Sequence, residues 1–257
     1  MVVKALIEHP VADWVYRRAN ERLTGRALAC AVNARNHLVR AQRIADADIS
    51  RTIAYFCATH ATEEAVACVI ASAKENGYKS LAGRVNIRDH AQKAVVASYA
   101  QIIADHAEKL GLSVALNPAT DHVLVKVRLD EKEVGYPLGL RLFSFNEDGQ
   151  NPSSDAAHDA FVSRFPDVET MVDYVQKRAS FRDGALYARE GGAPDLSAEQ
   201  LNIGLREHTL LTLSLIWAAM DVTNHKEPEP FVVQILGAIS AVIDVVRPTK
   251  VCKHCGK

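Results

Sequence analysis

The stretch that decides the fold, residues 53–73, reads IAYFCATHATEEAVACVIASA. Apolar residues stand on nearly every side of a helix drawn through it, among them Phe56, Val66, Val69 and Ile70. A helix that is apolar all round belongs at the centre of a protein, because it has no polar face to turn toward solvent. The stretch therefore predicts a buried central helix with other helices packed around it.

Helical periodicity continues on both sides of this stretch. The Asn76-Gly77 pair is a typical helix end, and Ser197 with Gln200 forms the sequence pattern of a capping box. Asp48 is the predicted N-cap of the central helix. Apolar spacing and these signals predict helices over residues 13–23, 26–45, 48–76, about 84–110, 167–178, 197–222 and 231–246.

One segment in the middle of the chain has the period of a β-strand. Val123, Val125 and Val127 alternate with longer or polar side chains, and a second alternation covers residues 138–142. The polar residues 131–135 suit a hairpin loop, and residues 113–116 offer a third strand. We therefore expect a mainly α protein: a helical bundle over residues 1–247 with a small antiparallel β insertion at about 113–145.

Composition and hydropathy argue against a strongly basic protein, a membrane protein and a secreted protein with disulfide bonds. The chain has 257 residues, of which 48% are hydrophobic, and its net charge is −1, so RNA binding would need a local patch. The apolar segments 209–220 and 231–246 are shorter than the roughly 20 residues of a membrane span, so we expect core helices and no membrane. Cys30, Cys57 and Cys68 lie in apolar helical contexts, typical of reduced thiols, and the N-terminus lacks a secretory pattern. A cytoplasmic protein is expected.

The central helix carries two polar residues that need a partner. His60 and Glu64 stand at positions i and i+4, on one face of an otherwise apolar helix. Burying a carboxylate is costly unless it is paired and hydrogen-bonded. The pair predicts either an internal functional site or a buried polar pair that sets the helix register.

A basic cluster follows at the start of the next predicted helix. Arg84, Arg88, His90 and Lys93 lie near its N-terminus, where anions are favoured. Arginines beside an imidazole suit the binding and cleavage of a phosphodiester, because histidine is the usual general acid or base near neutral pH. The alternative is a charged helix face in solvent.

Two of these segments together resemble a known family. Residues 59–65, THATEEA, lie within the apolar helix, and residues 88–93, RDHAQK, open the next one. Over about residues 26–110 the chain resembles the HEPN superfamily of helical domains, most of all its AbiV-type abortive-infection branch. Many HEPN proteins are dimeric, metal-independent ribonucleases with an Arg-x4-6-His motif, which Arg84 and His90 match. Val85 after the arginine departs from the pattern, which leaves binding or regulation open.

The last residues suggest a zinc-binding element. Cys252-Lys253-His254-Cys255-Gly256 has the Cys-x-x-Cys-Gly form of a zinc knuckle, and residues 248–257 resemble the first half of a treble-clef zinc ribbon. Cys252 and Cys255 would supply two of four ligands, so zinc is expected only where the ribbon is completed. A polar tail is the alternative.

These observations predict an RNA-directed protein of a prokaryotic defence or toxin system. The resemblance implies a homodimer and a metal-independent ribonuclease with Arg84, Arg88 and His90 as catalytic residues. The alternative is a non-catalytic interaction protein that dimerises through the bundle and docks through the zinc ribbon. No phosphate-binding glycine loop or nucleophile elbow occurs in the sequence.

Overall fold

The computed structural model describes residues 7–129, 132–144, 153–186 and 195–247. These ranges contain nine helices and one three-stranded antiparallel sheet, which confirms the mainly α class with a small β insertion. The elements are α1 (Pro10–Arg22), α2 (Gly25–Asp46), α3 (Arg51–Glu75), α4 (Lys79–Ala82), α5 (His90–Lys109), β1 (Ser113–Asn117), β2 (His122–Leu129), β3 (Lys132–Pro137), α6 (Ser154–Val162), α7 (Val168–Leu186), α8 (Ala198–Val222) and α9 (Pro230–Val246).

Local signals account for most helix ends. The capping box at Ser197 is formed, and α3 ends at Glu75 with Asn76 as its C-cap, before Gly77 with its positive φ of 91°. Asp48 was a wrong prediction for the N-cap of α3. The cap is Ser50, whose hydroxyl accepts from the Ile53 amide, while Asp48 itself takes a left-handed turn conformation with φ 47°.

Helix α3 lies at the centre of the bundle, as its sequence predicts. It packs most extensively against α2 and α8. Alanines along α3 allow close approach, and Ala54, Ala58, Ala61 and Ala65 are fully buried. The two apolar segments near the end of the chain form α8 and α9 and contribute to the same core. Within the described ranges, every helix is too short or too polar to cross a membrane.

The sheet has strand order β1-β2-β3, and its buried side chains Val123 and Val125 face the protein. The prediction of a strand over residues 138–142 was wrong. Strand β3 lies earlier, with Lys132 opposite Leu129, and Leu140–Leu142 is a 3-10 turn. The alternation misled because Leu138 and Leu140 pack on the helical core instead of on a neighbouring strand.

Candidate active site

The central polar residue of the bundle is Glu63 on α3. Its side chain is 11% exposed and faces α5, where two residues bind it. The Nζ atom of Lys93 donates to Oε2 at 2.8 Å, and Nδ1 of His90 lies 2.9 Å from Oε1 and 2.8 Å from Oε2. His90 and Lys93 are three residues apart on α5, which places both on the side that meets α3.

Electrostatics hold this carboxylate in its charged form. Burial raises the pKa of Glu63, but the nearby His60, the Lys93 ammonium and the His90 hydrogen bond together lower it to about 2. Lys93 is only 5% exposed, so its charge and that of Glu63 are both removed from water. The result is a paired internal carboxylate whose remaining hydrogen-bonding capacity orients the His90 ring.

The carboxylate that α3 buries is Glu63 rather than the predicted Glu64. One residue turns a helix by about 100°, so the two neighbours face different helices. Glu64 is half-buried and lies 3.5 Å from the Asn33 amide on α2. The predicted pairing of His60 with Glu64 is therefore replaced by an approach of His60 Nδ1 to Glu63 Oε2 at 3.5 Å.

His60 extends the site toward α2. Its ring is half-buried, stacks on Phe56, and meets His37 edge-on with ring centroids 4.4 Å apart. Burial, followed by the neighbouring His60 and Arg40, lowers the pKa of His37. Two aromatic contacts and the nearby carboxylate thus hold His60 in place beside Glu63.

A further histidine, His208 on α8, lies in the core and is hydrogen-bonded to residues of α3. Its Nδ1 is 2.9 Å from the Thr62 hydroxyl, and its Nε2 is 3.4 Å from the Thr59 hydroxyl. Burial, and to a smaller degree Arg178, lowers the pKa of His208 to about 3. His208 is therefore neutral and serves as a hydrogen-bonding residue of the core.

His90 also borders an open pocket of about 300 Å³ at the protein surface. The wall is formed by the start of α5, by Gln176 and Ser180 of α7, and by Arg247 after α9. Arg88 also lines this pocket, so two arginines and one histidine border it. The pocket also borders the N-terminus of α5, where the Asp89 carboxylate already accepts from the first amides of the helix.

Asp89 connects the parts of this pocket. Its Oδ1 accepts from the amides of Ala91 and Gln92, which caps α5. Its Oδ2 lies 3.6 Å from Nε of Arg247. One aspartate thus starts the helix that carries His90 and holds Arg247 beside it.

Arg84 lies apart from the pocket that contains Arg88 and His90. The predicted helix from about residue 84 begins only at His90, because Asp89 caps it there. Arg84 stands in the preceding turn, where its Nη1 donates to the Ser240 hydroxyl of α9 at 3.3 Å. Of the three predicted catalytic residues, the fold brings Arg88 and His90 to one pocket and directs Arg84 to α9.

Sequence reasoning missed three residues of the site. Glu63 was passed over for its neighbour, and Lys93 was placed in the basic cluster at the start of the next helix, whereas the structure buries it against Glu63. Arg247 could not be found, since it lies far along the chain from Asp89. A usable signal for Lys93 was its spacing of three from His90, which predicts a shared helix face.

The predicted zinc ligands Cys252 and Cys255 lie outside the described residues. Over the ranges that the structure describes, no three His, Cys, Asp or Glu side chains are grouped so that they could hold a metal ion. Cys30, Cys57 and Cys68 are buried free thiols.

Comparisons of the chain with protein-family models, with curated proteins and with solved structures found no match.

Proposed function

We propose that this chain is an RNA-directed protein and that the pocket bordered by Arg88, His90 and Arg247 is a metal-independent ribonuclease site. The observation that carries the proposal is the His90 imidazole, which the buried Glu63 carboxylate holds through Nδ1 and which borders a pocket that Arg88 and Arg247 also line. The resemblance to HEPN domains supports RNA as the substrate and a prokaryotic defence or toxin system as the setting.

The chemistry follows from the charges at the pocket. Arg88 and Arg247 bind the non-bridging oxygens of a phosphodiester, where guanidinium groups form charge-assisted hydrogen bonds. His90 takes the proton of the ribose 2′-hydroxyl as its oxygen attacks phosphorus. The bond from phosphorus to the 5′-oxygen breaks, and the leaving oxygen receives a proton from the imidazolium, which leaves a 2′,3′-cyclic phosphate.

Glu63 acts through His90 as a positioning residue. Its charge favours the imidazolium that forms during proton transfer, and its two oxygens set the ring orientation. Lys93 offsets part of that charge, so the carboxylate stays ionised in the core. The buried pair therefore explains how an internal acidic group supports chemistry at a surface pocket.

The test is cleavage of single-stranded RNA by the full chain in excess chelator. We expect His90→Ala to lower kcat/KM by about 10²–10⁴-fold, the usual contribution of a general acid or base. Glu63→Gln should lower kcat and shift the pH profile, with KM nearly unchanged. His158→Ala is the matched control, because this histidine lies on α6 outside the pocket.

Binding provides the second measurement. Arg247→Ala should weaken RNA affinity and reduce the dependence of binding on salt by about one phosphate contact. Arg128→Ala, an exposed arginine on β2, is its control. Activity that survives His90→Ala, activity abolished by the chelator, or RNA binding that Arg247→Ala leaves unchanged would contradict the proposal.

A non-catalytic, dimerising interaction protein is the second candidate, and one surface favours it. Ile203 and Leu210 on α8 are 52% and 44% exposed and stand seven residues apart, on the same helix face. A second copy of the chain could bury this face. Sedimentation and RNA cleavage of the wild type and of Leu210→Glu test it. A wild-type dimer that dissociates in the variant and cleaves no RNA supports the candidate, and a monomeric wild type rejects it.

A further inference from the structure

We propose that a second pocket, between the helical bundle and the sheet, binds a nucleobase that carries an exocyclic amino group. The pocket has a volume of about 230 Å³ and lies where α1, the strands β2 and β3, and the end of α8 meet. Different residues form it from those of the ribonuclease site, so the two proposals are independent. Adenine, guanine and cytosine belong to this chemical class, either in a free nucleotide or as a base of an RNA strand.

Size and wall chemistry select a single flat ring system. Pockets for drug-sized ligands usually measure about 300–1,000 Å³, so this smaller pocket suits one ring system. Trp14, Trp217 and Met220 border it, and these are large, polarisable side chains on which a base packs well. The Trp14 ring is fixed, because its Nε1 donates to the Asp121 carbonyl at 3.0 Å.

A carboxylate at the pocket selects the amino group. Oδ2 of Asp221 accepts from the Leu140 amide at 2.9 Å and lies 3.1 Å from Nε2 of His225, which fixes the side chain. Oδ1 accepts no hydrogen bond from any residue that the structure describes. An ionised carboxylate only accepts, so its ligand must present an N–H or O–H donor. Uracil offers only its N3–H, which lies between two carbonyl oxygens that the carboxylate repels, whereas an exocyclic amino group projects beyond the ring.

A cation at the rim opposes positively charged ligands. Arg22 borders the pocket, and its Nη1 lies 3.4 Å from Oδ1 of Asn224. Tryptophans beside a carboxylate would otherwise suit an ammonium ligand. The Arg22 guanidinium repels an ammonium group, whereas it attracts the phosphate of a nucleotide. A neutral base with a phosphate outside the pocket therefore fits better than an amine.

Binding can be read directly from the protein. The chain has two tryptophans, and both border this pocket. Adding AMP or CMP to the full chain should quench tryptophan fluorescence, and UMP should bind at least tenfold more weakly. Asp221→Asn should remove the preference for AMP over UMP, and Trp217→Leu should weaken both. Arg22→Ala should weaken the binding of mononucleotides. Arg206→Ala, which replaces an exposed arginine elsewhere on α8, should leave that binding unchanged.

Calorimetry of the same mixtures separates the sources and the alternatives. Binding of AMP, or of a short adenine-containing RNA whose affinity Trp217→Leu lowers, supports the proposal and identifies the source. RNA binding that Trp217→Leu leaves unchanged, without binding of AMP, would overturn it. Equal binding of UMP, binding of tetramethylammonium in place of nucleotides, or no binding at all by a folded wild type would overturn it. Since Asp221 also holds the Leu140 amide, Trp217→Leu serves where Asp221→Asn does not fold. His90→Ala should leave nucleotide binding here unchanged, which separates this site from the ribonuclease site.

Discussion

Replacing Lys93 with methionine probes the buried ion pair that organises the site. Methionine is close in length to lysine but carries no charge, so Lys93→Met leaves Glu63 ionised in the core with His90 as its main partner. The side chains of Lys93 and Glu63 are 5% and 11% exposed, so solvent cannot replace the lost ammonium. Removing one partner of a buried pair typically costs about 3–5 kcal/mol. Because His90 stays bonded, we expect a loss of about 3 kcal/mol in the free energy of unfolding.

A double variant separates the charge from the packing. Glu63→Gln combined with Lys93→Met removes the stranded charge, so its stability should return to within about 1 kcal/mol of the wild type. Urea denaturation followed by circular dichroism measures both variants at neutral pH. Lys177→Met is the control, because Lys177 and Asp173 form an exposed pair, and its effect should stay below about 0.5 kcal/mol.

The same pair predicts a dependence on pH. Without Lys93, ionised Glu63 is less favourable, so its pKa rises and protonation at mildly acidic pH relieves the unpaired charge. The deficit of Lys93→Met relative to the wild type should therefore shrink between about pH 7 and pH 4. A Lys93→Met variant as stable as the wild type at neutral pH, or a double variant less stable than Lys93→Met alone, would show that Lys93 does not offset the buried charge of Glu63.

Three further perturbations test the core. The pKa of His208 is about 3 in the folded chain and about 6.5 in the unfolded chain, so between pH 6.5 and 4.5 only the unfolded state gains a proton. The free energy of unfolding of the wild type, measured in urea titrations, should therefore fall by about 2 kcal/mol over this range relative to His208→Gln. Gly204→Ala should lower the free energy of unfolding by about 1–3 kcal/mol despite the higher helix propensity of alanine, because a Cβ there would lie 2.1 Å from the Tyr55 ring. A raised Tm of the variant would contradict this. Phe161→Ala should cost about 3–5 kcal/mol in chemical denaturation, since the ring is fully buried; a loss below about 1 kcal/mol would show that the site collapses.

Local signals in the sequence were enough for most of the helical frame. The apolar pattern of residues 53–73 predicted the central helix, and Asn76 and Ser197 marked helix ends that the structure confirms. Such signals depend only on residues within one or two helical turns, so they predict the local structure without knowledge of the tertiary fold. They failed at Asp48 and at residues 138–142, where a turn and the core decided the conformation of the chain.

The candidate site depended on contacts that no local pattern contains. Spacing indicated polar residues on α3 and near His90, yet the choice between Glu63 and Glu64 depended on where α5 packs, since adjacent residues differ by about 100° around the axis. Arg247 reaches Asp89 only because the end of α9 lies beside the start of α5.

The sequence by itself determined the helical class, the central position of α3 and the presence of a small sheet, because each follows from periodicity over neighbouring residues. The tertiary structure alone decided that Lys93 is buried against Glu63, that His90 and Arg247 share a pocket and that Arg84 does not. The first outcome depends on the burial of two charges between α3 and α5, where leaving either charge unpaired would be costly. The position of the more exposed Arg247 depends on where the end of α9 packs against the start of α5.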